Sequence, residues 1–180
     1  MPDLRRDGDA GSAPYRRLAF AVATAVVLAD QIAKQLATRL LPQDGAPIHL
    51  FGGVHLQLYR NYAGPGGHFA GHTLLISVFT IAAAIVLVAA IARVRLDRLT
   101  ALALGLFLGG ALGNGLDRLL RGPDPLHAGV VDWLAPSAHG GSMDIADLAL
   151  NAAIVVLVAG ALLSMRPQRR RRRVDPDAAS

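Results

Sequence analysis

The chain is expected to be a mainly α, integral membrane protein with four transmembrane helices, and two observations carry that expectation. It is 53% hydrophobic with a mean hydropathy of +0.40, and the apolar residues are gathered into long blocks instead of being spread as in a soluble domain. The arginines fall between those blocks: Arg5, Arg6, Arg16 and Arg17 before the first, Arg93, Arg95 and Arg98 between the second and third, and Arg166 and Arg169 to Arg173 after the last. The positive-inside rule makes these three regions cytoplasmic. The net charge of +5 is therefore a topology signal, and no nucleic-acid partner is expected.

Residues 1–15 lack periodicity and are expected to be a disordered cytoplasmic tail. The first span covers about 18–37, long enough for a ~30 Å hydrocarbon core. Arginines ahead of an apolar stretch also suit a cleaved signal peptide, but this block holds Asp30 and Lys34 and has no clear small-residue cleavage site after it, which favours a retained helix. Asp30 and Lys34 stand at i,i+4, so opposite charges share one helix face. The simplest account of them is an interfacial ion pair with Lys34 snorkelling.

The first outer segment is 38–71. Within IHLFGGVHLQLYR, residues 48–60, partial alternation predicts two short strands turning at Gly52 and Gly53. The loop NYAGPGGHFAG follows from Asn61. The second span, about 72–92, carries no charge before its end and serves packing. The third, about 99–119, contains GGALGNGLDR, where Gly105, Gly109, Gly110 and Gly113 allow close helix approach and Asn114, Asp117 and Arg118 share a polar face. Ionisable groups near hydrocarbon cost several kcal/mol, roughly 2.5–3.5 on insertion scales, and usually face a protein interior or wet cavity. The second outer segment, 120–146, holds Asp132 among Val130, Val131, Trp133 and Leu134. The fourth span, about 147–165, opens with Asp147 and Asn151, with Asp144 just before it, a negative cluster suited to a helix N-terminus. The membrane domain is thus 16–166, followed by a basic cytoplasmic tail, 167–180, suited to anionic headgroups.

Chemistry is bounded by composition. There is no cysteine, and all thirteen acidic residues are aspartate. Topology gathers Asp30, Lys34, Asn114, Asp117, Arg118, Asp132 and Asp147 at the outer end of the bundle. Two neighbouring carboxylates in a poorly hydrated site share a proton, and such a pair can hydrolyse a peptide with one member as base on water and the other as acid. Spacing alone leaves open which carboxylates meet. Zinc lacks a ligand pair of suitable spacing among the six histidines. A serine-lysine site would need Lys34 as base with Ser137 or Ser142, but Asp30 one turn away keeps Lys34 protonated. A small transporter subunit would place polar groups through the whole bilayer depth, and here they gather at one end. A non-catalytic binder of lipidated peptides keeps the same pocket and is the main alternative.

DQIAK, the asparagine-led glycine loop at Asn61, GGALGNGLDR, GVVDWL and IADLALN, in this order over residues 18–165, resemble the motif set of lipoprotein signal peptidase, or signal peptidase II. The resemblance implies four helices with a small extracytoplasmic β-cradle. It implies an aspartic endopeptidase of the bacterial cytoplasmic membrane that cuts the signal peptide from diacylglyceryl-modified prolipoproteins before the lipidated cysteine. It implies Asp132 and Asp147 as catalytic, with Asp30, Lys34, Asn61, Asn114, Asp117 and Arg118 supporting the site or positioning substrate. No cofactor or metal is expected, the partners are prolipoproteins and membrane lipids, and a monomer is expected. Three features depart from the pattern. Asp144 stands where the family has a neutral asparagine, a third carboxylate beside the pair that should raise its apparent pKa unless neutralised. The glycine loop is long and carries His68, and RGPDPLHAG extends the second outer segment. These bear on substrate positioning more than on chemistry, and they suit a paralogue of altered specificity.

Overall fold

The computed structural model describes residues 4–64, 67–137 and 141–165, with side chains described from residue 12 onward. Seven elements follow in order: α1 (Leu4–Leu40), β1 (Ile48–Phe51), β2 (Val54–Asn61), α2 (Thr73–Arg93), α3 (Arg98–Leu120), β3 (Val130–Ala135) and α4 (Ile145–Ser164). All four helices are long and apolar enough to cross a membrane, α1 over Ser12–Leu40. α2, α3 and α4 lie close to the apolar blocks about 72–92, 99–119 and 147–165.

The first helix departs from expectation. It runs back to Leu4, so residues 4–15, expected to be disordered, are helical, with Pro14 inside the helix. Once the span has nucleated, each added residue gains a hydrogen bond at little cost. Tyr15 and Leu18 also pack on the buried cluster of Ala19, Ala23, Ile91, Leu96, Ala101 and Leu108, which ties down the start of the span. The expected basic tail, 167–180, lies outside the described residues.

α3 is the central helix. Of its most apolar window 56% is buried, against 22% for α1 and 17% each for α2 and α4. The glycines explain how it serves two neighbours. A Cβ at Gly105 would lie 2.6 Å from Ala19 O, and one at Gly109 2.6 Å from Val26 Cβ, so α1 sits in this groove. On the adjoining face a Cβ at Gly110 would lie 2.7 Å from Ala146 O, and one at Gly113 2.7 Å from Asp30 Oδ2, where α4 and the polar end of α1 close in. The small-residue stripe read from the sequence thus packs against two helices. α2 buries Ser77, Ala84 and Ile91 along one stripe and leaves Phe79, Ile85 and Val86 exposed, as suits a lipid-facing surface.

The expected hairpin forms, with β1 antiparallel to β2 and Gly52 supplying the left-handed turn at φ +55°. A third strand was not anticipated: β3 pairs antiparallel with β2, giving the order β1-β2-β3. In this register Asp132 stands opposite Tyr59 and Val130 opposite Asn61, so Asp132 and Asn61 share a face. The inserted loop after α3 is anchored, since Leu126 N donates to Arg118 O (2.8 Å) and Ser77 Oγ donates to Leu126 O (2.6 Å).

The helix contacts yield a stability test. Gly105→Ala drives a methyl into the Ala19 carbonyl and is expected to cost about 1–3 kcal/mol, lowering the thermal midpoint of the detergent-solubilised protein. Gly160→Ala, whose Cβ would meet Leu99 at an ordinary 3.7 Å, is expected to leave the midpoint unchanged or raise it.

Candidate active site

The polar ends of α1, α3 and α4 meet around the single lysine. Lys34 is fully buried, with Nζ 2.9 Å from Asp30 Oδ2, 3.2 Å from Asp117 Oδ2 and 2.7 Å from Asp144 Oδ2. It also donates to Asn114 Oδ1 at 3.1 Å. The snorkelling lysine of the simplest sequence reading is therefore corrected: Lys34 points inward, because three carboxylates offer it more than the interface does.

Each of those carboxylates also holds backbone. Asp30 Oδ1 accepts from Ala146 N (3.0 Å), tying α1 to the start of α4. Asp117 Oδ2 accepts from Val131 N (2.9 Å), tying α3 to β3 one residue before Asp132. Asp144 is the N-cap of α4, its Oδ1 accepting from Asp147 N at 2.7 Å. Two further residues that the sequence reading left without a role complete the network. Gln31 Nε2 donates to Asp30, to Gly113 O and to Asp117. Arg121 Nε donates to Asp117 Oδ1 (2.6 Å) and its Nη2 donates to Gln31 Oε1 (3.1 Å). The i,i+4 spacing of Asp117 and Arg121 was a usable signal for the second of these.

This scaffold delivers Asp132 and Asp147 to one cleft of about 70 Å³, whose lining includes Asn61, Asn114, Arg118 and Ser142. The cleft is large enough to admit water. Asn114 Nδ2 donates to Asp147 Oδ1 (3.0 Å) and Asn61 Nδ2 donates to Asp132 Oδ2 (3.2 Å), so each aspartate has its own amide. The amides are themselves oriented, since Lys34 takes Asn114 Oδ1 and Ala63 N takes Asn61 Oδ1. Arg118 Nη1 donates to Asn114 O at 3.3 Å. One carboxylate oxygen from each of Asp132, Asp144 and Asp147 lies within 4.8 Å of the others. Burial pushes Asp132 up to about 8, with the charges of Asp144 and Asp147 adding to the rise and Asn61 and Lys34 opposing it. Burial likewise raises Asp144 to about 7, against the pull of Lys34.

Every site residue expected from the sequence is gathered here: Asp30, Lys34, Asn114, Asp117 and Asp144 in the lysine-centred network, and Asn61, Arg118, Asp132 and Asp147 on the cleft. Two aspartates brought from different elements to one polar cleft, at the end of a bundle of four helices long enough to cross a membrane, form the arrangement that a membrane aspartic peptidase requires. The model of the signal peptidase (SPase) II family matches residues 22–163. The chain belongs to that family. It is 33% identical to a lipoprotein signal peptidase of Rhodococcus jostii over 96% of this chain and 90% of that protein. It is 36% identical to one of Streptomyces coelicolor over 90% of this chain and 75% of that protein. The fold matches a solved bacterial membrane enzyme structure with a TM-score of 0.71 at 22% identity, covering 85% of this chain and 92% of that one.

Because Lys34 is the shared counter-ion of three buried carboxylates, Lys34→Met is expected to destabilise the protein by about 3–5 kcal/mol. The matched change Arg39→Met, in the last turn of α1 and outside this network, is expected to cost under ~1 kcal/mol. Thermal unfolding of the two variants in one detergent measures the difference.

Proposed function

We propose that this chain removes signal peptides from diacylglyceryl-modified prolipoproteins in the bacterial cytoplasmic membrane, with Asp132 and Asp147 as the catalytic pair. The observation that carries the assignment is their convergence on one cleft from two different elements, β3 and α4, each aspartate holding an oriented amide. The remaining buried carboxylates, Asp30, Asp117 and Asp144, are each engaged with Lys34.

Hydrolysis then needs one carboxylate and one carboxylic acid. The carboxylate takes a proton from water as its oxygen bonds to the scissile carbonyl carbon, and the acid gives its proton to the carbonyl oxygen. The tetrahedral intermediate collapses as the C–N bond breaks. The departing nitrogen receives the proton taken from water, the former acid recovers its own, and the pair is reset. The lipid-modified cysteine follows the cut, so the diacylglyceryl group remains with the lipoprotein. The charge pattern supports an orientation with both termini cytoplasmic and the cleft near the extracytoplasmic face, since Arg93 and Arg98 bound the turn between α2 and α3 at the opposite end.

The test is cleavage of a diacylated prolipoprotein peptide by the purified chain in detergent. Asp132→Asn and Asp147→Asn are each expected to reduce kcat by roughly 10²–10⁴-fold or more while the peptide still binds. Binding without turnover by the folded wild type would instead support a non-catalytic receptor for lipidated peptides. The proton-holding member of the pair also sets the alkaline limit: with Asp132 at about 8, kcat/KM is expected to fall as pH rises through that value.

A further inference from the structure

Asp144 is a carboxylate at the meeting point of the lysine-centred network and the cleft, where its charge has the greatest consequence. Its side chain is wholly buried, its Oδ1 caps α4 through Asp147 N, and its Oδ2 lies against Lys34. The charged groups around it come from every neighbouring element: Asp30 and Lys34 on α1, Asp117 and Arg118 on α3 with Arg121 bound to Asp117, Asp132 on β3, and Asp147 on α4. The cations Lys34, Arg118 and Arg121 balance the carboxylates Asp30, Asp117 and Asp144. No cation of the cluster is left to neutralise both Asp132 and Asp147, so the pair must hold a proton.

The two aspartates are not equivalent hosts for it. Asp147 lies in the first turn of α4, where the helix N-terminus favours negative charge, and its Oδ1 accepts from Asn114. Asp132 lies in a strand with no comparable dipole. It is 1% exposed, its Oδ1 has no hydrogen-bond partner among the described residues, and one oxygen of its carboxylate lies within 4.8 Å of an oxygen of each of Asp144 and Asp147. A buried carboxylate with one oxygen lacking a donor and two carboxylate neighbours is where a proton relieves the most unfavourable energy.

We propose that Asp144 is a positioning residue that assigns the proton of the pair: its carboxylate, paired with Lys34, keeps that proton on Asp132 and leaves Asp147 as the base. This rests on the reading of Asp132 and Asp147 as the catalytic pair. The ordering is consistent with Asp132 holding its proton to about 8 while Asp144 releases its own near 7. In the reaction, Asp132 is then the group that protonates the scissile carbonyl oxygen, and Asp147 takes the proton from water.

The experiment is a pH titration of the detergent-solubilised full chain by infrared spectroscopy of the protonated carboxyl band. It is run on wild type, Asp132→Asn, Asp147→Asn and Asp144→Asn. Asparagine at 144 keeps an oxygen to accept from Asp147 N, and Asp144→Ser serves as a second uncharged cap. The wild type is expected to show a transition near pH 8 that disappears in Asp132→Asn and persists, displaced to lower pH, in Asp147→Asn. In both uncharged variants at 144 that transition is expected to fall by about one pH unit or more. The alkaline limb of kcat/KM for lipopeptide cleavage should fall with it. A transition lost in Asp147→Asn and kept in Asp132→Asn would place the proton on the other member. An unmoved midpoint in both variants at 144 would remove Asp144 from the device. The infrared result stands without turnover, so a wild type that titrates as expected but cleaves nothing would overturn the peptidase reading and leave the proton assignment intact.

Discussion

One buried ammonium holds the polar end of this molecule together. Lys34 is enclosed by carboxylates from α1, α3 and the cap of α4, and each of those carboxylates also grips a backbone amide or a second side chain. In a low-dielectric surround an unpaired carboxylate is very costly, and a pair is tolerated only when its remaining lone pairs are also satisfied. Here Asp30, Asp117 and Asp144 each meet that condition by binding structure that has to be placed accurately: the start of α4, the strand β3, and the amide of Asp147. The charges that make the site possible are therefore the same ones that set its geometry.

The rest of the bundle brings those charges together. α3 can lie close to α1 and α4 only because its glycines present bare backbone, and Gly113 in particular leaves room for the carboxylate of Asp30. Away from the polar end the contacts are small and apolar, and the outward faces of α2 and α4 carry exposed valine, leucine and isoleucine. Rigid, close helix contact at the centre and a satisfied charge network at one end give a cleft whose two aspartates are held from separate elements. Such a cleft needs little reorganisation when charge moves during reaction.

The family relationship and the chain's own departures from its motifs bear on different parts of the site. The lysine, both amides and both cleft aspartates named by the motif set converge at one end of the bundle. Asp144 adds a charge within that framework, and Lys34 absorbs it. The segment after α3 is bonded back to the bundle through Leu126, to Arg118 and Ser77, before the chain re-enters the sheet at Val130.

The number of helices, the extent of the last three, the hairpin at Gly52 and Gly53, and the gathering of polar groups near one end of the apolar blocks were legible in the amino-acid sequence. They depend on local periodicity, helix-breaking residues and the cost of charge in hydrocarbon, which act over a few turns of chain. The motif order also named the residues that converge. The sequence did not reveal β3, the inward turn of Lys34, or the parts played by Gln31 and Arg121, and the N-terminal extension of α1 ran against local reading. Those depend largely on partners far along the chain, such as Asn61 with Asp132, 71 residues apart, and Gln31 with Arg121, 90 apart, or on packing against a distant core. Pairing between remote strands and the choice of counter-ion for a buried charge are energies of the assembled fold. No stretch of the chain carries them alone, and only the tertiary structure decides them.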